Sequence, residues 1–166
     1  MKEQNLKILA EGGLAVALGV ALSFLSIFTM PQGGTITLAA VPLVVFALRN
    51  RWRKGLLVGL VFGILVFLLG PKYSLHPISI ALDYLVPGML YAFAGIKKWW
   101  AGLLVAYFLN FIAHVLSGVL VFASYTPDGW NVWAYSAWYN ITYIVPEFIL
   151  VMMVMVVLSK RPRLFK

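Results

Sequence analysis

Cysteine is absent from this 166-residue chain, and five acidic residues stand against thirteen Lys and Arg. The first absence excludes disulfides and thiolate metal sites. The second leaves long runs with no charge at all. Also missing are a phosphate-binding G-x-x-x-x-G-K-[ST] loop, a metal-ligand cluster, and an activated nucleophile with a recognisable neighbour. Nor is there an obvious inverted repeat of the kind many secondary transporters use. A chain of this kind cannot drive ATP-powered transport by itself, so any such energy would come from a partner.

What is present is apolar, with 63% hydrophobic residues. Uncharged stretches run from Leu6 to Phe28, Ile36 to Leu48, Gly55 to Leu69, Pro77 to Ile96, Trp100 to Ala123 and Ala134 to Leu158, each bounded by charge, Pro or Gly. A helix needs about 20 apolar residues to cross a hydrocarbon core of roughly 30 Å. We therefore expect one domain over residues 1–166, an all-α membrane protein built as a six-transmembrane-helix bundle. The second and third segments are undersized for a span and must be tilted, partly buried, or flanked by loops that dip inward. Between Ser23 and Met30 there is no small-x-small cleavage pattern, so the first segment is expected to persist as a helix.

Six crossings put Lys2, Lys7, Arg49, Arg51, Arg53, Lys54, Lys97, Lys98, Lys160, Arg161, Arg163 and Lys166 on one side, leaving only Lys72 opposite. The positive-inside rule then places both termini in the cytoplasm. The net charge of +8 follows from this topology and from attraction to anionic headgroups of the lipid bilayer, and no nucleic acid need be invoked. Two of the external connections, Met30-Pro31-Gln32-Gly33-Gly34 and Thr126-Pro127-Asp128-Gly129, are turn sequences.

Ionisable groups inside spans are costly and usually face the bundle interior or a water-filled cavity. Here they are Glu11, Asp83, His114 and Glu147. Glu11 lies one turn after Lys7, and a local i, i+4 pair is the expected reading. Asp83 lies on the order of 9 Å in from the external end of its helix, His114 roughly 13 Å and Asn140 roughly 9 Å, at 1.5 Å per residue. Three helices thus bring polar groups to similar depth, which suggests a pocket open to the outside. The alternative is that these groups only hydrogen-bond helices together.

Helical spacing aligns Asn110, His114 and Gly118 on one stripe. Ser136, Tyr139, Asn140, Tyr143 and Glu147 form a second, and Ser79, Asp83 and Pro87 a third. Near the same level lie Tyr73, Tyr84, Phe122, Trp130, Trp133, Tyr135, Trp138 and Tyr139. Part of that is the ordinary interfacial belt of Trp and Tyr. Aromatic faces beside one carboxylate also suit a flat, cationic, heteroaromatic ligand. Gly13, Ala17 and Ala21 repeat every fourth residue on the first helix, as do Gly55, Gly59 and Gly63 on the third, and such faces let helices approach closely. Internal packing is expected for the glycine series; for the first helix, docking onto another membrane subunit competes with it.

Taken in order, Gly33-Gly34, Val41-Pro42-Leu43, Ala47-Leu48-Arg49, Leu82-Asp83-Tyr84, His114 with Gly118, Gly129-Trp130, Tyr135-Ser136 and Asn140 resemble the thiamin-specific S component of energy-coupling factor (ECF) transporters. The resemblance implies a non-catalytic six-helix subunit in the cell membrane that captures thiamin from outside. It also implies a transmembrane coupling subunit and two ATPase subunits as partners, and no cofactor. Carried over, the site acid corresponds to Asp83 beside Tyr84, a loop aromatic to Tyr73, the site histidine to His114, and the pyrimidine-recognising pair to Tyr135 and Asn140. Trp130, Trp138 and Gly118 fall in the same region. The family acid is commonly Glu where this chain has Asp83, a stacking Trp is replaced by Phe122, and a Trp of the first external loop is not evident around Gly33 and Gly34. Ala17 and Ala21, with Gly13, match the family's surface for the coupling subunit. Other readings are an S component for a different vitamin, a stand-alone exporter of cations in which Asp83 or Glu147 exchanges protons, and an intramembrane enzyme using Asp83 and His114 as acid and base.

Overall fold

The computed structural model describes residues 2–30, 34–96 and 98–161. The turn residues Pro31, Gln32 and Gly33 and the basic residues Lys97, Arg163 and Lys166 lie outside the described residues. Six helices follow in order: α1 (Lys2–Ser23), α2 (Ala40–Asn50), α3 (Trp52–Leu69), α4 (Pro77–Gly95), α5 (Trp99–Val121) and α6 (Val132–Ser159). All but α2 are long and apolar enough to cross a membrane. Between α1 and α2 a two-stranded antiparallel hairpin pairs β1 (Phe28–Thr29) with β2 (Thr35–Ile36), in the register Phe28 with Ile36 and Thr29 with Thr35. The first helix thus stops at Ser23, and the apolar residues at Phe28 and Ile36, which the sequence assigned to helices, belong to strands.

The undersized second segment is accounted for by enclosure. Its 11 residues reach only about 16 Å at 1.5 Å per residue, half a hydrocarbon core. Leu43, Val44, Phe46 and Ala47 are almost fully buried by their neighbours, so α2 has little need of lipid contact. The third segment is longer than its apolar run suggested and starts at Trp52, because α2 and α3 are separated by a single residue. That residue, Arg51, has φ 67° and ψ 155°, a conformation disfavoured for a side-chain-bearing residue.

α3 and α4 run antiparallel. Gly55, Gly59 and Gly63 on α3 face Ala92, Gly88 and Tyr84–Leu85 on α4 in reverse order. A Cβ at Gly59 or Gly63 would strike the backbone of α4, so the glycine series is an internal seam as expected. Gly102 of α5 meets the Phe93 carbonyl of α4 in the same way. Small residues at such seams permit the close backbone approach on which packing in lipid depends. Large side chains point outward instead: Leu9 is 73% exposed, Leu57 67% and Val157 64%. Such a surface suits hydrocarbon and would be an aggregation liability in water.

Candidate functional site

The fourth helix changes its winding where its acid sits. Pro77 opens it, with the His76 ring accepting the Ile78 N–H. Residues Ile80–Leu85 then form a π-helical stretch closed by the Val86 N–H to the Ala81 carbonyl. Pro87 has no N–H to offer the Asp83 carbonyl four residues back, which explains why regular α-winding does not pass through this point. Single-turn π segments occur frequently at functional sites.

Inside that stretch the Asp83 carboxylate collects three partners. Its Oδ2 accepts from the hydroxyls of Ser79 and Ser117, each at 2.6 Å. Its Oδ1 lies 3.0 Å from His114 Nδ1. An ionised carboxylate only accepts, so in that pairing Nδ1 carries the hydrogen and Nε2 remains as the second polar atom of the ring. Ser79 and Ser117 are buried, while the Asp83 and His114 side chains keep 19% and 18% of their surface.

From His114 an aromatic series runs along α6. The Tyr143 ring stands edge-on at 6.2 Å from His114, Tyr139 at 5.9 Å from Tyr143, and Tyr135 at 6.3 Å from Tyr139. Tyr135 stacks on Trp138 at 6.2 Å, and Trp130 packs on both within 5.9 Å. Asn131 caps α6, its side-chain oxygen accepting from the N–H groups of Trp133 and Ala134, so the aromatic series starts from an anchored helix end.

Of the residues singled out from sequence, Asp83 and His114 are bonded directly. Asn140 joins them through Tyr143, whose hydroxyl donates to Asn140 Oδ1 at 2.6 Å. Asn140 is buried, and its Nδ2 donates to the Ser136 carbonyl at 2.9 Å. Tyr135, Trp138 and Trp130 form the far end of the series. The others stand apart from the Asp83–His114 pair. Tyr84 donates to the Pro71 carbonyl at 3.1 Å, Tyr73 is 70% exposed, and Phe122 packs on Tyr125. Gly118 has its Cα face against Ser136, where it lets α5 and α6 approach. Ser117 was missed altogether and Tyr143 was given no role, although Ser117 follows His114 by three residues and therefore shares its face.

Glu11 corrects an expectation. Its carboxylate is gripped across helices by Arg49 Nε at 3.2 Å, by a second Arg49 nitrogen at 2.9 Å and by Asn50 Nδ2 at 3.0 Å, so its bonded partners sit on α2 and the local Lys7 is not one of them. A fork-shaped guanidinium forms two parallel bonds that an ammonium cannot. Glu147 also pairs across the bundle, accepting from the Thr37 N–H and hydroxyl. On α1 the residues Gly13, Ala17 and Ala21 lie on the exposed side, opposite buried Gly12, Ala15, Val16, Gly19 and Val20.

Two cavities stand out, about 290 Å³ beside Lys2, Asn5, Leu6 and Leu9 and about 390 Å³ beside Asn50, Arg51, Trp52, Arg53 and Lys54. Neither touches Asp83. Among the described residues no group of three His, Asp or Glu converges as a metal site.

Apolar helices of spanning length around a short enclosed one define a polytopic integral membrane protein with a polar site set into its helices. Residues 9–166 match the family described as Thiamine transporter protein (Thia_YuaJ), and the chain belongs to that family. It is similar to the thiamine transporter ThiT of Bacillus subtilis, 32% identical over 99% of this chain and 97% of that one. It is also similar to ThiT of Lacticaseibacillus paracasei, 26% identical over 99% and 92%. The fold matches the solved structure of ThiT from Listeria monocytogenes with a TM-score of 0.86 and 24% identity over 98% of both chains, a likeness that bears on the fold alone.

Proposed function

We propose that this chain is the S component of an ECF transporter, a multi-pass plasma membrane protein that binds thiamin from outside and passes it inward without chemistry on it. The observation that carries the reading is the company Asp83 keeps. Its three donors are two hydroxyls and an imidazole, none of them a fixed cation. Such bonds hold a carboxylate in place without matching it to a fixed cation. The charge thus stays available to a cation, and the thiazolium of thiamin supplies one.

The tyrosines of α6 provide ring faces and edges for the two heterocycles, with cation-π attraction of roughly 0.5–2 kcal/mol at each suitable contact. In this reading Asp83 balances the thiazolium, His114 and the neighbouring tyrosines contact the rings, and Tyr135 with Asn140 recognises the aminopyrimidine edge. Tyr73, Tyr84, Phe122, Trp130 and Trp138 line the approach. A site built from polar groups discriminates well, since an analogue that fails to pair them leaves buried donors or acceptors unsatisfied.

The basic residues place both termini in the cytoplasm, so Asp83 faces the outer half of the membrane. The exposed Gly13, Ala17 and Ala21 face of α1 receives the coupling subunit, and ATP is hydrolysed in two partner subunits. Equilibrium titration of the detergent-purified chain with thiamin, riboflavin and biotin tests the reading. Saturable binding of thiamin alone is expected, and preference for either other vitamin would replace it.

A further inference from the structure

We infer that Glu147 and Thr37 are positioning residues for the thiamin site: Glu147 holds the Thr37 end of the β2–α2 connection, and this sets Gly34 against Tyr143 and fixes the orientation of Asn140. The inference rests on the thiamin reading above. Glu147 lies one turn beyond Tyr143 and two turns beyond Asn140 on the same face of α6. Its Oε1 accepts the Thr37 N–H at 3.2 Å and the Thr37 hydroxyl at 2.9 Å, a tie between positions 110 residues apart. The same hydroxyl oxygen accepts the Ala39 N–H at 3.3 Å, so the tie reaches the start of α2.

At the other end of this short segment, Gly34 lies directly on the Tyr143 ring, and a Cβ there would collide with it. The Gly34 carbonyl accepts the Met30 N–H at 2.7 Å, so β1 is carried along with β2. Tyr143 in turn donates to Asn140 and stands edge-on to His114. Two contacts, one at each end of residues 34–37, therefore join the hairpin to α6: Thr37 to Glu147, and Gly34 to Tyr143, the ring that stands beside His114. Packing of α6 alone would be served better by an apolar residue at 147, since burying a polar group costs free energy unless it is bonded.

The test uses the full chain in detergent, titrated with thiamin. Glu147→Ala is expected to weaken binding about tenfold and Thr37→Val about threefold, the scale of one or two net hydrogen bonds. Glu147→Gln and Thr37→Ser keep the accepting oxygen and the hydroxyl and are expected to bind within about twofold of the parent. The double variant Glu147→Ala with Thr37→Val is expected to bind no more weakly than Glu147→Ala, because both changes remove the same tie. Hydrogen exchange at the Thr37 amide should accelerate in Glu147→Ala and stay slow in Glu147→Gln. Parental affinity in Glu147→Ala, equal loss in the Gln and Ala variants, or additive losses in the double variant would overturn the inference. A parent chain that does not bind thiamin would sink the underlying reading instead, a separate outcome. Should Glu147→Ala fail to fold, the Thr37→Val and Thr37→Ser pair decides on its own.

Discussion

Two carboxylates lie within membrane helices at comparable exposure, and they are held in opposite ways. Glu11 keeps 25% of its side-chain surface and Asp83 19%. Glu11 meets a guanidinium in a two-bond grip, with Asn50 alongside, so its charge is cancelled within the chain. Asp83 meets Ser79, Ser117 and His114, with no guanidinium or ammonium among these partners. The first arrangement ties α1 to α2 and asks nothing of a ligand. In the proposed reading the second leaves an anion for a cation from outside, and the aromatic series on α6 starts beside its partner His114.

That contrast can be broken by experiment. Removing the charge proposed to meet the ligand should have the largest effect: Asp83→Asn is expected to weaken thiamin binding by about 2–5 kcal/mol, the cost of truncating one side of a buried charge pair. That is at least roughly thirtyfold in Kd, read by calorimetry on a chain whose thermal stability is little altered. Asp83→Asn binding as tightly as the parent would end the charge-matching argument.

The paired acid should behave in reverse. Glu11→Ala leaves Arg49 without its carboxylate and is expected to destabilise by about 1–3 kcal/mol, the value of a hydrogen bond to a charged group. The Tm should fall by several degrees while thiamin Kd stays unchanged. A large loss of affinity with unchanged Tm would mean that the two ends of the bundle are coupled.

A smaller effect at Asp83 itself sharpens the comparison. Ser117→Ala removes one of two hydroxyl donors to Asp83 Oδ2 and is expected to weaken thiamin binding by about 1 kcal/mol, roughly fivefold. Ser117→Thr, which keeps the hydroxyl, should restore part of the loss. If Ser117→Ala instead tightens binding, the hydroxyl competes with the ligand for the carboxylate.

Hydropathy made the six helices and their order readable, because hydrocarbon demands continuous apolar stretches whatever the packing partners are, although it left the third undersized until the structure extended α3 back to Trp52. The short second helix was ambiguous for the same reason. Leu43, Val44 and Ala47 look like lipid-facing residues until their neighbours are known, and only their burial shows that α2 is enclosed. Asp83 and His114 stood out as rare ionisable groups among apolar ones, and their joint use followed from similar depth. Ser117 did not, since Ser is common in membrane helices and its partner Asp83 lies on another helix; Tyr143 was placed on the α6 stripe, but its contact with His114 reaches across to α5. Glu11 was assigned to Lys7 because spacing along one helix sees only i+3 and i+4 neighbours. Arg49, 38 residues away, is invisible to such a rule.

Composition and periodicity alone settled that this chain lives in a bilayer, how many helices it forms and which rare polar groups they carry, because each depends on transfer from water to hydrocarbon residue by residue. The tertiary structure alone decided which acid meets a guanidinium and which meets hydroxyls and an imidazole, and where the hairpin is tied to α6. Those outcomes depend on hydrogen bonds and backbone contacts between helices, which act over a few ångströms and have no signature along the chain.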